Sequence, residues 1–148
     1  MKDYHISKHQ SFFCVGLNYQ KADAATRGLF SLQDQQVVEI LAAAKAEGLD
    51  ALMVLSTCNR TELYGFAQDP HTLIALLCDT THGSIEAFQE VAYIYKNKEA
   101  IHHLFCVGTG LDSQILGDFE IIAQIKKGFT SAKKVGLANK KSVFYLME

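Results

Sequence analysis

ALMVLSTCNRTELYGFA, residues 51–67, places two apolar segments on either side of a short polar one. Ala51–Thr57 is rich in branched apolar residues and predicts a buried strand, and Thr61–Ala67 alternates well enough to be a strand that returns antiparallel to it. Cys58 lies where the first strand stops, and Arg60 follows two positions later. Most free cysteines are small buried hydrophobes. A thiol at a strand end beside a guanidinium, which stabilises the nucleophilic thiolate, is instead a candidate reactive group.

Further elements are predicted on both sides of this hairpin. Two further strands are predicted, at Phe12–Leu17 and at Val91–Tyr95. One helix is predicted from its N-cap Ser31 to Gly48, and a second from Pro70 to near Gly83. Two more helices, Ala100–Leu111 and Phe119–Lys134, are separated by a loop containing Gly117. The order of strand, helix, strand, strand, helix, strand and further helices predicts the α+β class. The expected architecture is a ferredoxin-like split βαβ sandwich with additional C-terminal helices.

Composition favours one compact domain, since the chain has 148 residues of which 49% are hydrophobic. Its apolar runs are too short to span a membrane and its N-terminus does not resemble a signal peptide, so we expect a cytoplasmic protein without membrane contact. The four cysteines lack a CxxC spacing and are expected to be reduced thiols. Lysine pairs at Lys126–Lys127, Lys133–Lys134 and Lys140–Lys141 indicate either a solvated helix face or contact with a polyanion.

A second segment with chemical potential is HHLFCVGTGLDSQILGDFEIIAQIK, residues 102–126. His102 and Cys106 would share a helical face, but two ligands are too few for zinc, and no metal site is expected. Of the adjacent histidines, one should point inward, as a satisfied core residue or as a proton-transfer group. The glycines of GTG, from Gly108, follow no strand and therefore do not match a dinucleotide fingerprint. Polar groups at this helix break, Ser113 among them, are expected to line a pocket for a polar ligand.

Together, STCNRTELY (56–64) and HLFCVGTGLDSQILGDFEIIAQIK (103–126), preceded by FFCVGLNYQKADAATRGLFS (12–31), closely resemble the N-terminal catalytic domain of glutamyl-tRNA reductase over essentially the whole chain. The resemblance implies NADPH-dependent reduction of glutamyl-tRNA(Glu) to glutamate-1-semialdehyde, the first step of the five-carbon route to 5-aminolevulinate and tetrapyrroles. It implies that Cys58 attacks the glutamyl ester and forms a thioester, and that His103 assists proton transfer.

The resemblance also implies a set of substrate-binding positions: Thr57, Asn59, Arg60, Ser113, Asp118, Phe119, Glu120 and Gln124. Arg60 could bind a carboxylate through its planar fork or act as a neighbour of the thiolate. Two departures affect substrate contacts: Asp118-Phe119-Glu120 replaces the usual Glu-Pro-Gln, and Thr26-Arg27-Gly28 lacks the common Arg-Glu pair.

The expected organisation is a single catalytic domain over residues 1–148, truncated before the NADPH-binding and dimerisation domains of the full-length enzyme, with 137–148 as the start of the connecting helix. The cofactor of the full-length enzyme would be NADPH. The expected partners are glutamyl-tRNA(Glu), a second subunit in a homodimer, and glutamate-1-semialdehyde aminomutase. Two other readings stay open: a non-catalytic tRNA- or protein-binding domain of the same fold, and a thiol redox sensor.

Overall fold

The computed structural model describes residues 10–109 and 120–138. These residues form four strands: β1 (Ser11–Asn18), β2 (Leu52–Ser56), β3 (Arg60–Ala67) and β4 (Tyr93–Lys96). They also form six helices: α1 (Ala24–Leu29), α2 (Asp34–Ala46), α3 (Pro70–Thr80), α4 (Ile85–Val91), α5 (Lys98–Gly108) and α6 (Glu120–Lys134). Within the described ranges, no helix is both long enough and apolar enough to cross a membrane.

The strands form one antiparallel sheet in the order β2-β3-β1-β4. The prediction of a mixed helix and strand protein is therefore confirmed, and the hairpin of residues 51–67 is its β2–β3 pair. In the register, Gly16 on β1 lies opposite Glu62 on β3 and also opposite Tyr93 on β4. Directly paired residues share a face of the sheet. Glu62, Gly16 and Tyr93 therefore form a row across three neighbouring strands.

Helices pack against the sheet, including its edge strand β2. α3 packs against β1 and β3, α2 packs against α3 and β2, α5 packs against β4 and β1, and α6 runs along β2. Gly128 makes the α6 contact close, since a Cβ at this position would lie 2.6 Å from the carbonyl oxygen of Val54. After α6, the carbonyl of Leu137 accepts a hydrogen bond of 3.0 Å from the Leu52 amide. The edge of β2 is thus covered rather than open to other strands.

Two predicted boundaries were wrong for local reasons. Ser31 is not the N-cap of α2: its hydroxyl donates to the Gly28 carbonyl, and the helix begins after Gln33, whose amide donates to the Gln36 side chain at 2.8 Å. The strand predicted at Val91–Tyr95 begins instead at Tyr93, because the unpredicted helix α4 extends to Val91. The short helix α1 was also not predicted.

Candidate active site

Cys58 lies in the short connection between β2 and β3, and its side chain is exposed. The connection is closed by the Thr57 amide, which donates to the Arg60 carbonyl at 2.8 Å. The Thr57 hydroxyl accepts from the Asn59 amide at 3.2 Å. The carbonyl of Asn59 in turn accepts from the Tyr19 amide at 2.9 Å. The thiol is therefore presented to solvent on a loop whose backbone is held by hydrogen bonds at both ends.

Arg27, on α1, supports the same loop from outside. Its Nε donates to the Cys58 carbonyl at 3.2 Å and its Nη1 donates to the Ala22 carbonyl at 2.7 Å. The departure at Thr26-Arg27-Gly28 thus keeps an arginine that contacts the backbone of the candidate nucleophile. No local sequence pattern indicates this contact, because it joins residues 31 positions apart.

A buried carboxylate, Glu62, organises the interior next to this hairpin. Glu62 is fully buried, and its Oε1 accepts from the Tyr64 hydroxyl at 2.6 Å. Its Oε2 accepts from the Tyr93 hydroxyl at 2.5 Å and lies 2.6 Å from His103 Nε2. Arg60 Nη1 lies 3.3 Å from the same oxygen. Four protein groups from β3, β4 and α5 therefore meet on one carboxylate.

The two histidines of α5 differ as expected: His103 points inward and His102 is exposed. The His103 ring packs against Tyr95 and Tyr93, with centroid distances of 4.7 and 5.1 Å. His103 also lines a cavity of about 440 Å³ together with Tyr95 and His102. His103 is therefore both anchored on Glu62 and part of a cavity lining.

Arg60 is itself buried, with 2% of its surface exposed. Its Nη1 contacts Glu62. This partner belongs to neither of the two predicted roles, which were binding a substrate carboxylate and acting as a neighbour of the Cys58 thiolate.

The described residues include one group with the donor types of a metal site. Cys14, Glu62 and His103 are buried and offer donor atoms within 4.8 Å of one another. Both carboxylate oxygens of Glu62 already have hydrogen-bond partners within the protein, three at Oε2 and one at Oε1. We therefore assign this cluster to hydrogen bonding rather than to metal binding.

The remaining predicted positions divide into described and undescribed ones. Gln124 lies on α6 and lines a cavity of about 250 Å³ together with Ser56, which immediately precedes the Cys58 loop. Ser113, Asp118 and Phe119 lie outside the described residues, as do the loop at Gly117 and most of the predicted connecting helix. Glu120 is the first residue of α6, and its side chain is outside the description.

Sequence reasoning missed Glu62, Tyr64 and Tyr93. The available signal was weak: Arg60, Glu62 and Tyr64 alternate along β3, so they share one face of the strand. Alternation cannot say whether that face is solvated or covered. The glycine at 108 ends helix α5 and does not follow a strand, so the described residues do not fit a dinucleotide cradle at this position.

Comparison with known proteins agrees with the resemblance in sequence. Residues 15–146 match the family described as "Glutamyl-tRNAGlu reductase, N-terminal domain". The glutamyl-tRNA reductases of Christiangramia forsetii and Flavobacterium psychrophilum are each 60% identical over 139 residues, which is 94% of this chain and 33% and 34% of those proteins. The structure of glutamyl-tRNA reductase from Methanopyrus kandleri superposes with a TM-score of 0.72 at 25% identity, covering 92% of this chain and 32% of that one.

This chain spans about a third of the length of the curated relatives that it matches. The match nevertheless covers nearly all of its own residues, including the Cys58 loop, the buried Glu62 cluster and helix α5. The chain therefore belongs to the glutamyl-tRNA reductase family, as its N-terminal domain.

Proposed function

We propose that Cys58 is the acyl-accepting nucleophile of a cytoplasmic glutamyl-tRNA reductase, the first enzyme of tetrapyrrole synthesis by the five-carbon route. The observation that carries this proposal is the exposed thiol on a hairpin loop whose backbone is fixed by Tyr19 and Arg27. A fixed loop favours reaction because little ordering remains to be achieved when the substrate binds. The relatives named above carry the activity in their names, and this chain is 60% identical to two of them.

The proposed step is transfer of the glutamyl group from tRNA to sulfur. The Cys58 thiolate forms a bond to the ester carbonyl carbon, and the bond from that carbon to the ribose oxygen breaks. The ribose oxygen leaves with its electron pair and takes up a proton, which balances the proton lost by the thiol. We propose His103 as the group that carries this proton, because an imidazole can take up and release protons near neutral pH.

Substrate recognition is proposed to involve the Cys58 loop, with Thr57, Asn59 and Arg60, and the residues that the resemblance assigns beyond α5. Gln124 supports this assignment, since it shares a cavity with Ser56 at the base of that loop. The exposed Lys126 and Lys134 on α6 provide positive charge for a tRNA backbone.

The remaining expectations concern the full-length enzyme. We propose NADPH as its hydride donor, a homodimer as its assembly and glutamate-1-semialdehyde aminomutase as a partner. The described residues of this chain do not form a dinucleotide cradle at the GTG segment, so we derive no reduction step from them. For the fold class, we propose the ferredoxin-like type, supported by the sheet order in which β3 lies between β1 and β2.

The test uses the 148-residue chain and tRNA charged with labelled glutamate. We expect a glutamyl adduct on Cys58 after an acid quench, located by peptide mass spectrometry and removed by hydroxylamine, as a thioester requires. Cys58→Ser should abolish the thioester. Cys106→Ser, which changes a half-buried cysteine on α5, is the matched control and should retain it.

Binding of charged tRNA without any adduct in the unchanged chain would refute the catalytic proposal. That result would favour the non-catalytic tRNA-binding domain, for which Cys58→Ser would lose nothing.

A further inference from the structure

The hydrogen-bond network around Glu62 determines which nitrogen of His103 carries a hydrogen. Burial raises the pKa of the Glu62 carboxyl, but the hydrogen bond from His103 and the charges of His103 and Arg60 outweigh it, so this pKa lies below its ordinary value. Burial raises the pKa of both Tyr64 and Tyr93 above the ordinary value, so both phenols keep their hydrogens and donate. Near neutral pH, Glu62 is an ionised carboxylate.

An ionised carboxylate accepts hydrogen bonds and has no hydrogen to give. His103 Nε2 lies 2.6 Å from Glu62 Oε2, so Nε2 must be the donor in this contact. A neutral His103 therefore has its hydrogen on Nε2, and Nδ1 is the nitrogen left to gain or lose a proton. The rings of Tyr93 and Tyr95 pack against the imidazole and hold its plane.

The carboxylate can reach His103 only by crossing a neighbouring strand. Glu62 is on β3, while Tyr93 is on β4, and Gly16 on β1 lies between them in the register. A Cβ at Gly16 would lie 2.7 Å from Glu62 Cγ and 2.6 Å from the Thr61 carbonyl oxygen. The first contact is with the carboxylate side chain and the second is with backbone that cannot yield, so a side chain at position 16 would displace Glu62.

We propose that Glu62 is a positioning residue for His103, which fixes the Nε2–H tautomer and so directs proton exchange to Nδ1, and that Gly16 provides the space this requires. The tautomer assignment rests on the geometry of the cluster together with the ionised state of Glu62, and it does not depend on the proposed function. The use of the Nδ1 proton in glutamyl transfer to Cys58 rests on the proposed function. The two parts are tested by separate measurements.

The tautomer is measured without substrate, by long-range ¹H–¹⁵N correlation of the imidazole in the labelled 148-residue chain. The chain has six histidines, so the His103 signals are assigned as those missing from a His103→Gln variant. We expect the Nε2–H pattern in the unchanged chain. In Glu62→Gln, the amide can donate to Nε2 as well as accept from it, and we expect a substantial Nδ1–H population.

Two pairs of variants separate positioning from general disturbance. Gly16→Ala retains every member of the cluster, yet it should also raise the Nδ1–H population; Gly28→Ala is its control, because a Cβ at Gly28 meets nothing within 4 Å. Tyr64→Phe removes a donor only from Oε1 and should leave the tautomer unchanged. The tautomer proposal is overturned by an Nδ1–H pattern in the unchanged chain, or by an unchanged tautomer in both Glu62→Gln and Gly16→Ala.

The second measurement is the rate of adduct formation on Cys58 with saturating glutamyl-tRNA. Loss of correct proton transfer typically lowers such rates by about 10²- to 10⁴-fold. We expect Glu62→Gln to lower the maximal rate by at least about 10²-fold, with little change in the tRNA concentration that gives half the maximal rate. A wild-type rate in a Glu62→Gln chain with an altered tautomer would overturn the positioning role. No adduct in the unchanged chain would instead refute the proposed function and leave the tautomer result standing.

Discussion

Arg60→Met tests whether the buried ion pair with Glu62 stabilises the fold. Both side chains are almost fully buried, at 1% and 0% exposure, and their charged atoms lie 3.3 Å apart. At that distance, an effective dielectric constant of about 20 gives an attraction of about 5 kcal/mol. Removing one partner of a buried pair typically costs about 3–5 kcal/mol, because the other charge is left without compensation. We expect the free energy of unfolding to fall by about this amount.

Urea unfolding followed by circular dichroism measures the loss. With a slope near 2 kcal/mol per molar urea, a loss of about 4 kcal/mol lowers the midpoint by about 2 M. The matched control is Lys127→Met, which breaks an ion pair with Asp34 that is shorter, at 2.9 Å, but 59% and 85% exposed. Exposed pairs contribute at most about 1 kcal/mol. If distance decided the strength of the pair, Lys127→Met would lower the free energy of unfolding more than Arg60→Met. If burial decides it, Arg60→Met lowers the free energy of unfolding more.

The effect of Arg60→Met should also depend on pH. The folded-state pKa of Glu62 is depressed in the unchanged chain, so its stabilising contribution is present above the unfolded value of about 4.3. Without Arg60, the charged form of buried Glu62 becomes less favourable, and its folded-state pKa rises. The difference between the two proteins should therefore be largest at pH 7 and shrink as the pH falls towards 4. A loss below about 1 kcal/mol at pH 7, or one that equals the Lys127→Met loss, would refute this reasoning.

Three further predictions concern the rest of the domain. Gly128→Ala should destabilise the chain by about 1–3 kcal/mol in urea unfolding, because its Cβ would lie 2.6 Å from the Val54 carbonyl oxygen. Alanine is normally the better helix former, so stabilisation by this substitution would contradict the close α6 contact. Iodoacetamide at pH 8 should alkylate exposed Cys58 well before Cys78, whose pKa burial and nearby acidic groups raise to about 11, as peptide mass spectrometry can show; faster labelling of Cys78 would contradict the structure. The free energy of unfolding should fall less steeply with decreasing pH in Glu62→Gln than in the unchanged chain. The reason is that the depressed pKa of Glu62 supplies stability that is lost as the pH falls through its folded value. Identical pH profiles of the free energy of unfolding in the two proteins would contradict this.

The strands and longer helices were predictable because their signals are local. Branched apolar runs predict β1 and β2, and Asp69–Pro70 marks the start of α3, where the Asp69 side chain accepts from the His71 amide at 2.8 Å. The start of α2 was mispredicted because Ser31 and Gln33 are both polar residues near the same helix. Their difference lies in partners: the Ser31 hydroxyl turns back to α1, while the Gln33 amide reaches the first turn of α2.

The candidate nucleophile was predictable for the same reason. Cys58 follows directly after an apolar run, so its position at a strand end can be read from neighbouring residues, and the structure shows it exposed on the connecting loop. The support that Arg27 gives to that loop could not be read, since it depends on where α1 packs. The inward position of His103 could be expected from the helical period, but its partner could not.

Glu62 shows why the buried part of the site could not be predicted from the sequence. A glutamate in an alternating strand ordinarily faces solvent, and the pattern of β3 is compatible with that reading. Its burial depends on Tyr93 and His103, which are 31 and 41 positions away and come from elements that fold over the same face. A buried carboxylate is stable in that position only when all of its hydrogen-bond donors are in place, because an incompletely hydrogen-bonded buried charge lowers the free energy of unfolding. The residue that could have indicated it is Gly16: a glycine inside a strand weakens that strand unless something must pass close to its backbone, and across this sheet the close neighbour is the side chain of Glu62.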